Sequence, residues 1–336
     1  MRDPFIEARS FVERARACEH DDPTVAIGWY DRALGALSGW SELLVDVLRW
    51  KGTAYSECGD MSAADRLYEQ SAELATKIDY LGGQAHAANC RAVVAHRRGD
   101  LIVAEELYKE ANQLARRAGD VRLRAMIQRN LGVLASIRGI PEQALTHYEE
   151  SLEAAQSIND DEGASRALNN IARLYAEHGQ DRAAAEILDE VLTAARGRGD
   201  ATLECTALLN LSELRLRTGH AEEAESLCRY ALAIADRRSD PSRRAEALRI
   251  LADLWSARGE SERCADALDE ALLLTHGSED ALLMAEIWRM QARVGRFSLT
   301  PDSARVALTK ARALFLDAYA WQEVAGVEAA LAKLAD

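Results

Sequence analysis

Three asparagines recur at intervals of forty residues, at Asn130, Asn170 and Asn210. A carboxamide offers both a hydrogen-bond donor and an acceptor, so one such side chain can pair with a peptide unit of another chain. Alternatively, these amides join neighbouring segments of their own chain or face water. The regular spacing indicates one shared surface, and both interpretations of that surface stay open at this point.

Arginines lie close to these asparagines in the sequence. Arg129 directly precedes Asn130, and Arg166 stands one helical turn before Asn170, where the two would share a helix face. Guanidinium groups bind carboxylates and phosphates through paired hydrogen bonds, so the arginines favour an acidic peptide or a peptide with a free C-terminal carboxylate. The candidate binding residues are therefore Arg129, Asn130, Arg166, Asn169, Asn170, Arg173, Asn210 and Arg249.

The same arginines have an internal alternative. Glu213, Glu246 and Asp253 occur at neighbouring repeat positions, so the surface is equally consistent with a solvated face whose charges pair among themselves.

Signals for catalysis are weak. His86 and Cys90 are one helical turn apart and His96 follows, but no further cluster completes the four ligands of a closed zinc site. The sequence contains no glycine-rich phosphate loop and no nucleophile elbow. Acidic pairs such as Asp160-Asp161 fit helix starts better than a catalytic dyad. We therefore expect no enzyme activity, no metal and no cofactor.

The forty-residue spacing is a property of the whole chain. Three independent markers share it: a turn glycine, an alanine five residues later and a closing aspartate. The glycines are Gly59, Gly99, Gly139, Gly179, Gly219 and Gly259, and the aspartates are Asp120, Asp160, Asp200, Asp240 and Asp280. Such a period predicts an array of repeats, each stacking on its neighbours. Abundant alanine and leucine with only five prolines predict that the array is all helical.

Packing residues follow the same register. Small residues such as Gly52 and Gly132 stand seven positions before the turn glycine, and bulky ones such as Tyr68 and Tyr148 stand nine positions after it. A small residue opposite a large one lets two helices approach closely.

This skeleton resembles the tetratricopeptide repeat, from about residue 5 to the end of the chain. Gly52, Tyr55, Ala64 and Tyr68 match the family's small–aromatic–alanine–aromatic pattern, as do Leu131, Gly132, Ala144 and Tyr148. The period of forty exceeds the family's usual thirty-four, and the proline that ends the usual repeat is absent. The extra residues are expected to lengthen the helices. The long repeats are similar to those of peptide-binding adaptors and of the sensor domains of bacterial regulators.

The resemblance implies a right-handed superhelix of about seven helix pairs plus a C-terminal capping helix, as a single solenoid. Its parts are an atypical first repeat (1–42), regular repeats (43–280), a divergent last repeat (281–319) and the capping helix (320–336). In the divergent repeat, residues 296–303 are predicted to form the turn. In the last helix, one stripe is predicted to be apolar: Trp321, Val324, Val327, Leu331 and Leu334. The alternative for that helix is dimerisation.

The resemblance also implies where binding occurs. In such arrays the first helices of successive repeats line a groove, and an asparagine nine residues before the turn glycine grips the backbone of an extended peptide. Asn130, Asn170 and Asn210 occupy that position here. The expected function is a non-enzymatic adaptor that binds a protein or peptide. The alternatives are a ligand-responsive regulator that acts in trans and a self-assembling scaffold.

Composition and charge limit the expected partners and cellular location. A net charge of −14 argues against a general nucleic-acid binder, which needs a basic surface. The N-terminal sequence lacks the apolar core of a signal peptide, and no run reaches membrane-spanning length. Six scattered cysteines fit reduced thiols, with Cys264 expected to be a small buried residue. We therefore expect a cytoplasmic protein without nucleic-acid or membrane partners.

Overall fold

The computed structural model describes residues 4–19, 22–278, 280–298 and 301–334. This part of the chain is built from helices of similar length and contains no strand. The helices are α1 (Pro4–Cys18), α2 (Pro23–Ala36), α3 (Glu42–Glu57), α4 (Met61–Lys77), α5 (Leu81–Arg97), α6 (Leu101–Ala118), α7 (Val121–Ile137), α8 (Pro141–Ser157), α9 (Asp161–Glu177), α10 (Asp181–Arg198), α11 (Ala201–Arg217), α12 (Ala221–Arg237), α13 (Pro241–Ala257), α14 (Ser261–Ser278), α15 (Ala281–Ser298), α16 (Pro301–Asp317) and α17 (Trp321–Ala332). They form eight helix pairs, against the seven or so predicted, followed by one further helix.

The turns inside helix pairs and the turns between pairs each contain a residue in the left-handed backbone conformation. Inside a pair, each marker glycine has a positive φ, for example 74° at Gly139. Between pairs, the residue before the closing aspartate takes the same conformation, which glycine supplies at Gly119 and Gly199. Asn159 and Ser239 stand at that position in other repeats, with φ of 54° and 51°. Such a residue ends a helix because the backbone turns back there, and the N–H groups that follow donate to the last carbonyls of the helix.

Helix starts are fixed by side-chain caps and by proline. The closing aspartates are N-caps, as predicted: Asp120 accepts a hydrogen bond from the backbone N–H of Leu123 at 2.8 Å, and Asp200 accepts one from Leu203 at 3.0 Å. All five prolines of the chain are the first residue of a helix, where the missing N–H has no partner to lose.

The predicted small-to-large packing is confirmed. A Cβ atom placed on Gly132 would lie 2.5 Å from the Tyr148 ring, and one placed on Gly52 would lie 2.7 Å from the Tyr68 ring. Tyr148 is fully buried, so the ring cannot move aside. Cys264 is also fully buried in its alanine position, as expected.

The chain divides into two compact units. The first comprises Met1–His96 with Ile102–Ile127, and the second comprises Arg97–Leu101 with Gln128–Asp336. In the first unit, α1 to α4 pack each on the next. In the second, each helix from α8 to α17 packs on the next along the chain, and α9, α11, α13 and α15 also contact one another. Helices α9, α11, α13 and α15 therefore form a continuous layer.

The second unit closes on itself. A Cβ atom placed on Gly139, in the turn after α7, would lie 3.2 Å from the side-chain oxygen of Gln322 at the start of α17. Ile137 at the end of α7 packs against the apolar cluster that holds Phe315 and Val324. The two ends of a long stack of helices thus meet.

Two details of the C-terminal region differ from the prediction. Residues 296–298 belong to α15 and not to the predicted turn, because α15 continues through Gly295 to a length of 18 residues; residues 299 and 300 lie outside the described part. The stripe of α17 is apolar and packed at Val324 and Val327, but Trp321 is 55% exposed at the first position of the helix. No helix in the described ranges is long and apolar enough to span a bilayer.

Candidate functional site

Charged side chains link the odd-numbered helices of the second unit. We call this set the ion-pair ladder; it consists of Glu213, Arg249, Asp253, Glu286, Arg289, Arg293 and Glu323. Several of these residues stand forty positions apart, at equivalent places in successive repeats. Each ion pair therefore joins one odd-numbered helix to the next.

Arg249 on α13 is the centre of the ladder. It contacts Glu213 on α11, and its Nε atom lies 3.3 Å from an oxygen of Glu286 on α15. Its side chain is 17% exposed. Burial opposes the positive charge, but the two carboxylates outweigh burial and hold the pKa of Arg249 above its ordinary value. One guanidinium therefore bridges three helices.

The ladder continues through α15 to α17. Arg293 pairs with Asp253 on α13, and Arg289 pairs with Glu323 on α17. Burial raises the pKa of the Glu286 carboxyl, although Arg249 pulls it in the opposite direction. The surroundings of Glu286 thus disfavour the charged form of its carboxyl.

Two predicted arginines are paired on α9. Arg166 bonds Glu162 at 2.9 Å and Asp200 at 3.0 Å. Arg173 bonds Glu177 at 2.7 Å. The internally paired alternative named Glu213, Glu246 and Asp253 as partners. Arg249 does contact Glu213, whereas Arg166 and Arg173 pair with other carboxylates.

The predicted asparagines separate into different environments. Asn210 donates a hydrogen bond from Nδ2 to Oδ1 of Asn169 at 3.0 Å, and both residues are buried. This bond ties α9 to α11. Asn170, one residue further along α9, is half-buried, and its side chain makes no hydrogen bond within the described part of the chain. Arg129 and Asn130 are half-buried on α7, and each has an interaction within the chain.

Two cavities open beside the ladder. One of about 340 Å³ is lined by Arg173 and Glu177 of α9, by the end of α7, and by Gln322 and Glu323 of α17. The other, of about 430 Å³, lies among α13, α15, α16 and α17. Glu286 lines both cavities. Volumes of this size are typical of ligand sites.

Four residues at these cavities were not among the candidates from sequence: Glu286, Arg289, Arg293 and Lys333. The repeat register relates Arg289 to Arg249 and Arg293 to Asp253. Lys333 stands forty residues after Arg293, which itself stands forty after Asp253. The loss of the marker glycine in the last full repeat hides this continuation.

No described cluster of three histidine, cysteine or acidic residues has the arrangement of a metal site. His86, one of the residues considered for such a site, instead pairs with Asp120 at 3.1 Å. Burial, with Arg49 nearby, lowers the pKa of His86 and so favours the neutral ring.

Comparisons with known proteins agree with the repeat geometry. The family model described as "Tetratricopeptide repeat" matches residues 83–157 and 123–197. Residues 83–197, about a third of the chain, therefore match the tetratricopeptide repeat. The matched segments cover the repeats with the strictest period, and the same helix-pair motif continues on both sides of them. No curated protein is significantly similar to the chain in sequence.

Solved structures of several regulators share the fold over nearly the whole chain. The Rap conjugation gene regulator of the plasmid pLS20, in complex with the Phr* peptide, has a TM-score of 0.68 and 11% identity, and the match covers 95% of this chain and 96% of that one. A Rap protein complexed with competence and sporulation factor has a TM-score of 0.64 and 12% identity over 98% and 99% of the two chains. NprR in complex with its cognate peptide NprX has a TM-score of 0.63 and 14% identity over 92% and 89%.

Proposed function

We propose that this protein is a non-enzymatic binding module that holds an extended peptide, or an extended segment of a partner protein, on the odd-numbered helices of its second unit. The observation that carries the proposal is the half-buried amide of Asn170, which makes no hydrogen bond to any described residue and lies on a helix layer flanked by two cavities. A peptide backbone supplies an N–H donor and a C=O acceptor, which can pair with the oxygen and the NH₂ group of the Asn170 side chain.

The three similar solved structures support the proposal that this protein binds a peptide. The three similar proteins above were solved as complexes, two of them with named peptides. Their low identity to this chain limits the support to the shared fold, so the ligand here has to be argued from the residues of this chain.

The candidate residues contribute in different ways under this proposal. Asn170 and Arg173 would contact the ligand from α9, and Arg249 would do so from α13. Asn169 and Asn210 would hold two helices at the correct spacing. Acidic groups on the ligand would compete with Glu177 and Glu286 for the arginines, which keep spare donors when paired.

A second candidate function is regulation of a partner in trans. The contact between Gly139 and Gln322 favours it, because a ligand between α7 and α17 could not enter or leave without affecting this closure. Small-angle scattering tests this candidate: a change in radius of gyration on adding a selected peptide would support regulation through shape, and an unchanged radius would oppose it.

Self-assembly through α17 is less favoured. Val324 and Val327, the centre of its apolar stripe, are buried within their own chain, which leaves Trp321 as the large exposed apolar residue of that helix. We also propose a cytoplasmic location, since all six cysteines are free thiols and such thiols persist in reducing compartments.

The test is selection from a random dodecapeptide library, followed by fluorescence anisotropy with each enriched peptide. Asn170→Ala should weaken binding about tenfold, roughly the loss of one well-made hydrogen bond in a desolvated site. Gln156→Ala, which alters an exposed amide on α8, is the control and should leave affinity unchanged. Enrichment no better than background, or equal affinity for wild type and Asn170→Ala, would contradict the proposal.

A further inference from the structure

A third cavity of the second unit lies among α10, α11 and α12, and we call it the α12 cavity. Its volume is about 470 Å³, and α12 supplies most of the side chains that line it. None of these side chains belongs to the ion-pair ladder or lines either cavity beside the ladder. The α12 cavity is therefore separate from the surface proposed to hold a peptide, and its size is in the range of small-molecule sites.

The repeat that contains α12 departs from its neighbours at two consecutive exposed positions. On α8, α10 and α14 these two positions are acidic: Glu149 and Glu150, Asp189 and Glu190, and Asp269 and Glu270. On α12 they are Arg229 and Tyr230, which both line the cavity. Because Arg229 and Tyr230 are exposed, the packing of the repeat does not require this change. An arginine and an aromatic residue thus interrupt an acidic row at the place where the cavity opens.

The cavity has an apolar floor and an aromatic wall. Leu208 on α11 is fully buried and Leu227 on α12 is half-buried, and both line the cavity. Tyr230 is 48% exposed, so much of its ring remains available for contact. Ala233 stands one helical turn further along α12, where the following repeat has Leu273. The short side chain of Ala233 leaves room beside the ring for a flat apolar group.

Two guanidinium groups and no carboxylate line the cavity. Arg196 on α10 donates from Nε to Glu204 at 2.8 Å, and Arg229 donates from Nε to Glu225 at 3.0 Å. The guanidinium carbon of Arg196 also lies 5.7 Å from the centre of the Tyr230 ring. Each guanidinium has five N–H groups, so donors remain for a ligand after these contacts. The glutamates, which lie outside the lining, therefore hold the arginines in place without filling the cavity.

We propose that the α12 cavity binds a small aromatic carboxylate. The ring would lie beside Tyr230 above Leu208 and Leu227, and the carboxylate would accept hydrogen bonds from Arg196 and Arg229. The inference goes beyond the proposed function, because the cavity shares no residue with the surface proposed to hold a peptide.

The chemistry of the lining selects this class of ligand. A simple anion would pair with the arginines but would leave the apolar floor in contact with water, and a neutral ring would cover the floor without pairing with the arginines. The acidic positions on α10 and α14 would repel a ligand with several negative charges. A single carboxylate joined to a flat ring satisfies all three conditions.

The test uses small probes and a signal from the cavity itself. The chain has nine tyrosines, so labelling with 3-fluorotyrosine gives a simple ¹⁹F spectrum in which Tyr230→Phe assigns the cavity signal. Indole-3-acetate should shift the Tyr230 signal saturably. Indole-3-acetamide, which has the same shape without the charge, and acetate, which has the charge without the ring, should each bind about tenfold more weakly.

Two variants separate the charge from the space. Arg196→Gln should weaken the binding of indole-3-acetate about tenfold, the loss of one charge-assisted contact. Its control is Arg182→Gln, which removes a 92% exposed arginine from the same helix and should have no effect. Ala233→Leu should fill the cavity and abolish the shift, whereas Gln113→Leu, at the equivalent exposed position of α6, should not. Circular dichroism and the other fluorotyrosine signals show whether each variant is folded.

Three results would overturn the inference. The first is the absence of a saturable Tyr230 shift with both indole-3-acetate and phenylacetate up to their solubility. The second is equal affinity for indole-3-acetate and indole-3-acetamide, and the third is unchanged affinity in folded Arg196→Gln and Ala233→Leu proteins. None of these results bears on peptide binding through Asn170, which the peptide library tests separately.

Discussion

Asn210 donates a hydrogen bond to Asn169 across the interface between α11 and α9, and the side chains of both residues are buried. Asn210, one of the three asparagines with the spacing expected of a peptide-binding surface, thus joins two helices of its own chain. Asn170, the neighbour of Asn169, makes no hydrogen bond within the described residues. Adjacent positions on one helix therefore divide into a structural role and a candidate binding role, and mutation can separate the two.

Asn210→Ala should destabilise the fold. The substitution leaves the buried Oδ1 atom of Asn169 without its donor, which costs about 1–3 kcal/mol. Urea denaturation followed by circular dichroism should show a lower midpoint for Asn210→Ala, and Asn170→Ala should unfold within about 0.5 kcal/mol of wild type. A larger effect from Asn170→Ala than from Asn210→Ala would reverse these assignments.

Arg249→Ala should also lower stability, because it strips the partner from two carboxylates at once. Glu213 and Glu286 would each lose the cation that they contact, and we expect a loss of about 2–3 kcal/mol. The matched control is Arg182→Ala, which breaks an ion pair whose arginine is 92% exposed. That variant should unfold like wild type. Equal midpoints for the two variants in thermal denaturation would show that the ladder contributes no more than a surface pair.

The carboxyl of Glu286 should make the fold more stable as the pH falls. Burial raises its pKa in the folded state, so the folded protein binds a proton at a pH where the unfolded chain has released it. Above the raised pKa the folded state bears the full cost of the buried charge, and that cost is removed as the pH falls toward the ordinary pKa of a glutamate. Glu286→Gln lacks this titration, so its stability relative to wild type should rise with pH. Unfolding midpoints of both proteins between pH 4 and pH 8, a range about the ordinary carboxyl pKa and above it, test the sign.

Gly132→Ala should destabilise the repeat that contains it. The added methyl group would lie 2.5 Å from the buried Tyr148 ring, and such overpacking costs about 1–3 kcal/mol. Gly28→Ala is the control, since a Cβ atom there meets nothing within 4 Å and alanine is the better helix former. Thermal denaturation should therefore move in opposite directions for the two variants. A neutral Gly132→Ala would show that the helices can separate without cost.

The repeat markers predict the fold because each acts locally. Gly139 needs a positive φ, Asp160 caps the helix that follows it, and Gly132 faces Tyr148 within one helix pair, so forty residues contain both partners of every such relationship. The marker glycines and closing aspartates accordingly lie between helices in the regular repeats. The helix ends of the divergent repeat were harder to predict because its marker glycine is missing. The predicted end of α15 was wrong as a result.

The site depends on relationships between repeats, which a single repeat does not encode. Asn169 and Asn210 belong to neighbouring sequence positions of different repeats, and their pairing follows from the stagger between α9 and α11. Whether Arg249 faces a ligand or a glutamate is likewise decided by the side chains of the two adjacent helices. Lys333 was in register but lay beyond the last recognisable marker.

The contact between Gly139 and Gln322 has a consequence for the order of folding. Almost every other interface in the second unit joins helices that are neighbours or next neighbours along the chain, and such local interfaces form quickly. Bringing Gly139 to Gln322 closes a segment of more than 180 residues, and the entropy of that closure is small only after the intervening helices have stacked. We therefore expect α7 and α17 to come into contact last during folding. In the species that precedes this step, the helices would be formed and stacked, but α7 and α17 would still be apart.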